Sequence, residues 1–242
     1  MSKTLPQGRL CNIVLRNVAA SFIAEKHNLS ITYIGREEME PLGIPLFVGT
    51  NKYDTTIFMN ELNYWDIYNM DSLTTNIETN ACFQTKECTK KLYDYVRTKA
   101  VHESIVKANP FRNRYGSNQD LFVHIRLGDV IHLNPGLAYY LKAIASVSFE
   151  KLYIASDSPW HPIIQQICRV YPTASIVQYN PVQTIQFGST CKNIILSHGT
   201  FSATIGYLAY DSTVYYPPFV EGKGWHGDCF SIEGWKEVKI EY

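Results

Sequence analysis

The chain has 242 residues, 45% of them hydrophobic and 13% aromatic, and its Lys plus Arg equal its Asp plus Glu at 22 each. That length holds one large domain or two of ordinary size, and the apolar share is ample for packed cores. A formal net charge of zero excludes the broad basic field of a nucleic-acid binder, so an anionic ligand has to be met by a local cluster.

The start, MSKTLPQGRLCN, has no apolar leader, and nowhere do roughly 18 uncharged apolar residues run together, so neither a signal peptide nor a spanning helix is expected. The six cysteines (11, 82, 88, 168, 191 and 229) show neither a C-x-x-C nor a Cys/His zinc spacing. Reduced thiols in a cytoplasmic protein are the simplest reading.

In chain order, PQGRLCN (6–12) is a glycine turn opening a helix predicted over 10–28, where Leu10, Val14, Val18 and Phe22 recur every four residues as on an amphipathic face. No clear strand precedes that turn, and it has neither G-x-G-x-x-G nor Walker spacing. SITYIG (30–35) and LFVG (46–49) read as strands. Residues 50–84, rich in Asn, Tyr and Asp, lack periodicity and read as connections around short elements. A helix predicted over 86–108 is broken by Pro, Gly and Asn in NPFRNRYGSNQ (109–119), the candidate linker between domains 1–115 and 116–242.

From residue 120 strands and helices alternate. The strands are LFVHI, KLYIAS (151–156), ASIVQY (174–179), NIILS (193–197) and TVYY (213–216). Between them helices are predicted over 137–147, 161–171, 182–192 and 201–210. This alternation predicts an α/β fold with a parallel sheet covered on both faces. The tail, 217–242, carries Trp225 and Trp235 and is expected to pack back across the body.

Four stretches carry candidate chemistry. In LFVHIRLGDV (121–130) strand alternation puts His124, Arg126 and Gly128 on one side and Val123, Ile125 and Leu127 on the other. Arg126 stands at the carboxyl end of the strand, where open parallel sheets bind ligands, and its planar fork suits a phosphate. Asp129 is placed to orient that arginine or a substrate hydroxyl. An arginine paired internally with Asp129 and a histidine bonded in the core fit the same residues equally well. In LSHGTFSATIGYLA (196–209) a strand, a turn with Gly199 and a helix follow one another, with Thr200 and Ser202 as natural N-caps; first-turn amides there would face a pyrophosphate. A capped helix with no ligand is the plainer alternative. Asp157, in LYIASDSPW (152–160), either accepts bonds from nucleotide hydroxyls or caps the next helix. The fourth is the 6–12 turn. No D-x-D occurs, so a carboxylate-held magnesium has no obvious ligands, and no metal or other cofactor is expected.

HIRLGD resembles the H-x-R-x-G-D signature of the alpha-1,2-fucosyltransferases, glycosyltransferase family 11, within the wider group of GDP-fucose-using enzymes. GRLCNIVLRNVAASFIAEKHN is similar to that family's N-terminal G-x-L-G-N block, YIASDSPW to its strand ending in Ser-Asp, and CKNIILSHGTFSATIGYLA to its late block with Phe-Ser. The departures are Cys11 for a glycine, Ile13 for a glutamine, Ala203 and Thr204 for paired tryptophans, and Leu127 for a second arginine.

The resemblance implies a glycosyltransferase-B-like architecture, two Rossmann-like domains facing across a cleft, with a nucleotide sugar, GDP-fucose, as donor and a glycan as acceptor. It implies an inverting, metal-independent transfer in which Arg126, Asp129 and His124 are catalytic. Arg126, Asp157, Ser197, His198, Gly199, Thr200, Phe201 and Ser202 would bind the donor, while Gly8, Arg9 and Asn12 form an acceptor-side loop. Glu37 and Glu38 compete with Asp129 as general base. Other readings stay open: the same fold with another nucleotide-sugar donor, an inactive nucleotide- or carbohydrate-binding module, and a phosphoryl hydrolase using His124 or His198. No nucleic-acid partner is expected.

Overall fold

The computed structural model describes residues 1–219 and 227–239, and Trp225 of the predicted strap lies outside the described residues. The chain divides into two compact α/β units, Met1–Ala108 and Asn109–Tyr242. No helix among the described residues is long and apolar enough to cross a membrane.

The first unit runs β1 (Ser2–Thr4), α1 (Leu10–His27), β2 (Ile31–Thr32), α2 (Arg36–Met39), β3 (Thr56–Phe58), α3 (Tyr64–Asn69), β4 (Asn76–Thr79), α4 (Lys86–Val96) and α5 (Lys99–Ala108). Its four strands form a parallel sheet in the order β2-β1-β4-β3. A strand therefore does precede the 6–12 turn, and two more lie in the stretch without periodicity.

The pattern is hidden because these strands bury polar side chains and satisfy them from backbone. Ser2 Oγ accepts from the Ile77 amide (3.0 Å), Thr4 Oγ1 from the Ile34 amide (2.8 Å), and the Asn76 amide group donates to the carbonyls of Tyr53 (2.6 Å) and Thr55 (3.0 Å). By contrast, LFVG is not a strand of the sheet. It is an extended connection whose Phe47 amide donates to Ser21 Oγ and whose Gly49 amide donates to the Leu29 carbonyl. The predicted amphipathic helix is instead buried on every side from Ile13 to Ala24. It ends at Asn28, whose positive φ of 52° closes the last turn. The helix expected over 86–108 is two helices, parted at Arg97 and Thr98.

The second unit runs β5 (Leu121–Ile125), α6 (Leu137–Ala145), β6 (Leu152–Ser156), α7 (Pro162–Val170), β7 (Ser175–Ile176), α8 (Pro181–Gly188), β8 (Asn193–Ile195), α9 (Thr200–Tyr207), β9 (Thr213–Tyr216) and β10 (Lys236–Glu237). All six strands are parallel, in the order β10-β9-β8-β5-β6-β7. The alternation read from β5 holds. Leu121, Val123, Ile125 and Leu127 join Tyr139, Tyr140, Ile164 and Ile167 in the core under α6 and α7. On the opposite face Phe122 packs on Phe187 of α8, and His124 stacks on Phe201 of α9.

The unit boundary falls at 108/109, ahead of the predicted 115/116, and residues 109–119 are not a free linker. Asn109 donates to the Gln186 carbonyl (2.9 Å), Arg114 pairs with Asp120 (2.7 Å), and Tyr115 donates to the Leu208 carbonyl (3.2 Å). Polar side chains that read as a flexible connection are here consumed by the second unit. The described part of the tail packs back on that same unit through Trp235 and Cys229. Trp235 stacks on Tyr207, and a Cβ at Gly206 would come within 2.4 Å of the indole, so only glycine admits it.

Candidate functional site

From β5 the chain proceeds outward through β6 and β7, then returns to lay β8 on the other side of β5. The connections leaving these two neighbours cover opposite faces, which makes β5/β8 the switch point of the sheet. Ligands of open parallel sheets bind in the crevice at such a point, outside the carboxyl ends of the strands. Two motifs far apart in sequence, HIRLGD and SHGTFS, supply its two walls. They are joined by His124 Nδ1 and Ser202 Oγ at 2.6 Å.

Arg126 follows the carboxyl end of β5, its guanidinium directed to Asp157 beyond the neighbouring β6, its side chain 19% exposed. Its Nη1 pairs with Asp157 Oδ2 at 2.5 Å, and its Nη2 donates to Asp129 Oδ1. The internal pairing with Asp129 is thus present, with a second carboxylate added. Asp157 neither caps the helix after Pro159 nor stands free for a nucleotide. Its Oδ1 accepts from the amides of Leu127 (2.9 Å) and Gly128 (3.2 Å) and so fixes the turn that carries Arg126. A Cβ on Gly128 would sit 2.6 Å from Asp157 Oδ2, which explains the glycine of the motif. One guanidinium against two carboxylates leaves the cluster with a formal charge of −1. A diphosphate entering here has to displace at least one carboxylate, and the exposed Asp129 is the one able to swing out.

His124 is not at the surface. Burial pulls its ring down to about 4, so it is neutral near pH 7, and its Nδ1 is hydrogen-bonded to Ser202 Oγ. Ser202 also accepts from the Ser197 amide (3.1 Å), and Ser197 Oγ accepts from Tyr140 OH (2.9 Å). Ser197 and Ser202 are completely buried, so both brace the turn from beneath and neither faces a ligand.

The cap of α9 is Gly199, at a φ of 98°, and no side chain caps it, contrary to the expectation for Thr200 and Ser202. His198, Gly199, Thr200 and Phe201 are half-buried and form the outer rim. Burial likewise lowers His198 to about 4.

Two residues read only as helix and loop complete the scaffold. Asn134 donates to the Arg126 carbonyl (2.7 Å) and to Tyr140 OH (2.9 Å), tying the end of β5 to α6 and on to Ser197. The Asn-Pro-Gly breaker at 134–136 was the available signal. Trp160, in the loop after β6, is 76% exposed.

In the first unit Gly8, at a φ of 70°, has no room for a side chain, since a Cβ would lie 2.4 Å from Asn12 Nδ2. Asn12 Oδ1 accepts from Gln84 (3.1 Å), which joins the first turn of α1 to the loop after β4. The spacing of Gly8 and Asn12 is therefore a packing requirement of this turn. Arg9 is the exposed N-cap of α1.

The buried histidine gives a pH prediction. Its folded pKa of about 4 lies below the ordinary 6.5, so the unfolded chain binds more protons between those values. Stability is full above about 6.5 and falls as the pH drops towards 4, with His124 contributing on the order of 3 kcal/mol of the loss. Urea unfolding across this range should show the slope, and His124→Gln should reduce it by His124's share, leaving that of His198. An unchanged slope would mean that the ring is already solvated.

No known protein family's sequence profile matches the chain, and no curated protein matches it. Among solved structures, the chain is similar to a mutant of Arabidopsis thaliana FUT1 in complex with GDP. The identity is 11% and the TM-score 0.47, over 92% of this chain and 71% of that one.

Proposed function

We propose that the chain is an inverting glycosyltransferase that moves L-fucose from GDP-fucose to a glycan hydroxyl, with the nucleotide held by the C-terminal unit. The observation that carries this reading is the meeting of HIRLGD and SHGTFS at the β5/β8 crevice. In the mechanism an acceptor hydroxyl attacks the anomeric carbon opposite the departing diphosphate, and negative charge grows on the leaving phosphate. Arg126 and the amides that open α9 stabilise that charge, a role in which fixed donors are most effective. Asp129, released from Arg126 when the diphosphate binds, is the exposed carboxylate beside that arginine and the candidate general base. His124 acts as a positioning residue, holding Ser202 and with it the turn.

A second reading, a nucleotide-binding module without turnover, is favoured by one feature: Arg126 is already neutralised by two carboxylates. Melting with GDP, UDP and TDP, followed by a donor panel, tests both. GDP at a hundred times its dissociation constant should stabilise the fold by about 2.7 kcal/mol, and transfer should be seen with GDP-fucose. Stabilisation without transfer to any glycan supports the module. A response to UDP alone removes the fucosyl donor.

A further inference from the structure

The first unit hides a charge that its own fold leaves unanswered. Arg16, in the middle of α1, is completely buried. Its Nη1 donates to the Gln7 carbonyl at 2.6 Å, whereas Nε and Nη2 are buried with no hydrogen-bond partner. Glu61, the carboxylate beside Cys82, is engaged with the backbone: its Oε1 accepts from the amides of Cys82 (3.0 Å) and Phe83 (2.9 Å). A buried guanidinium without a counter-charge is strongly unfavourable, and folds ordinarily avoid it. Burial indeed lowers the pKa of Arg16, and only the nearby Cys82 thiol acts in the other direction.

The position and the shape of the vacant donors point to a use. Gln7 belongs to the turn after β1 and Cys82 to the turn after β4, and these strands are parallel neighbours. The guanidinium therefore sits outside the carboxyl ends of two adjacent strands, where such sheets receive ligands. Nε–H and Nη2–H are the two parallel donors along one edge of the guanidinium, the edge that matches two oxygens of a single anion. Residues 6–9, which carry the Gln7 carbonyl, are exposed, so the cover over Arg16 is a surface turn rather than core.

We propose that Arg16 is the receptor for a two-oxygen anionic group, carboxylate or phosphate, carried by the ligand of the N-terminal unit and bound between the turns that follow β1 and β4. On the transferase reading that ligand is the acceptor, which is then an acidic glycan; the naming of the ligand, but not the anion site, rests on that reading.

The test uses the full chain and its Arg16→Met and Arg16→Lys variants, with glucuronate and inorganic phosphate as anionic probes, glucose as the neutral control, and GDP in a separate arm. Arg16→Met is expected to melt above the wild-type protein without ligand, because it removes an unpaired buried charge. The wild-type protein should be stabilised by glucuronate or by phosphate but not by glucose, and both variants should bind that anion about ten- to a hundredfold more weakly. Arg16→Lys keeps the charge but loses the paired donors, so it reports even if the methionine variant fails to fold. A response to glucuronate alone assigns a carboxylate, and to phosphate alone a phosphoryl group. Equal anion binding by all three proteins, or none by the wild type, overturns the proposal. Loss of the GDP response with the anion response intact would sink the donor assignment and leave this site standing.

Discussion

Arg126→Ala is expected to lose about a hundred- to a thousandfold in transfer rate, the usual cost of removing one fixed donor from a developing oxyanion. The geometry adds a second penalty. Without the guanidinium, Asp129 and Asp157 are left as two uncompensated carboxylates, so GDP affinity should fall along with the rate. Arg126→Lys keeps a positive charge yet cannot reach both carboxylates with one planar fork, and should recover binding better than turnover. Asp129→Asn works in the opposite direction on binding, because it frees a competitor of the diphosphate. It should tighten GDP while slowing transfer, if Asp129 accepts the acceptor's proton. GDP titrations beside single-turnover rates separate the two effects. Near-normal transfer by Arg126→Ala would reduce the arginine to a clamp on its own turn.

The second unit was largely legible in the sequence, because its strands are apolar and its helices regular. Leu121, Val123 and Ile125 alternate against His124, and from β5 to β9 each strand is separated from the next by a helix of eight or nine residues. The first unit was not. Its strands are two to four residues long and bury Ser2, Thr4, Asn76 and Thr79, so hydrophobic periodicity is silent where the chain pairs. The tail's edge strand, Lys236–Glu237, was missed for a related reason: both residues are exposed, and two residues show no period.

For the site, the two motifs meet at His124 and Ser202, but their spacing does not show what the other side chains touch. Serine, threonine and aspartate at a turn bind a ligand or brace the backbone with the same chemistry. Ser197, Ser202 and Asp157 turned out to brace it. Arg16 was invisible in another way, since a single arginine in a helical stretch reads as surface until its depth is known.

The largest effect on stability should come from Asp157→Ala. Asp157 holds three groups at once: the amides of Leu127 and Gly128 on Oδ1 and the Arg126 guanidinium on Oδ2. Removing a buried member of such a set costs about 3–5 kcal/mol. The Asp157 side chain is 25% exposed, so water re-solvates part of what is lost, and about 2 kcal/mol is the expected figure. Asp157→Asn retains one carbonyl oxygen for the two amides but no charge for the arginine, and should lose about half as much. Gly128→Ala attacks the same clamp from the other side, since its new methyl would occupy the space of Asp157 Oδ2, 2.6 Å away.

The three variants should therefore lower the urea midpoint in the order Asp157→Ala, Gly128→Ala, Asp157→Asn, with an unchanged m-value showing that the folded and unfolded ensembles keep their exposure. All three should also weaken GDP binding, because each loosens the turn that carries Arg126. A neutral Asp157→Ala would break this chain of reasoning at its first link: the carboxylate would not be holding the turn, and its two oxygens would be available to a nucleotide's hydroxyls after all.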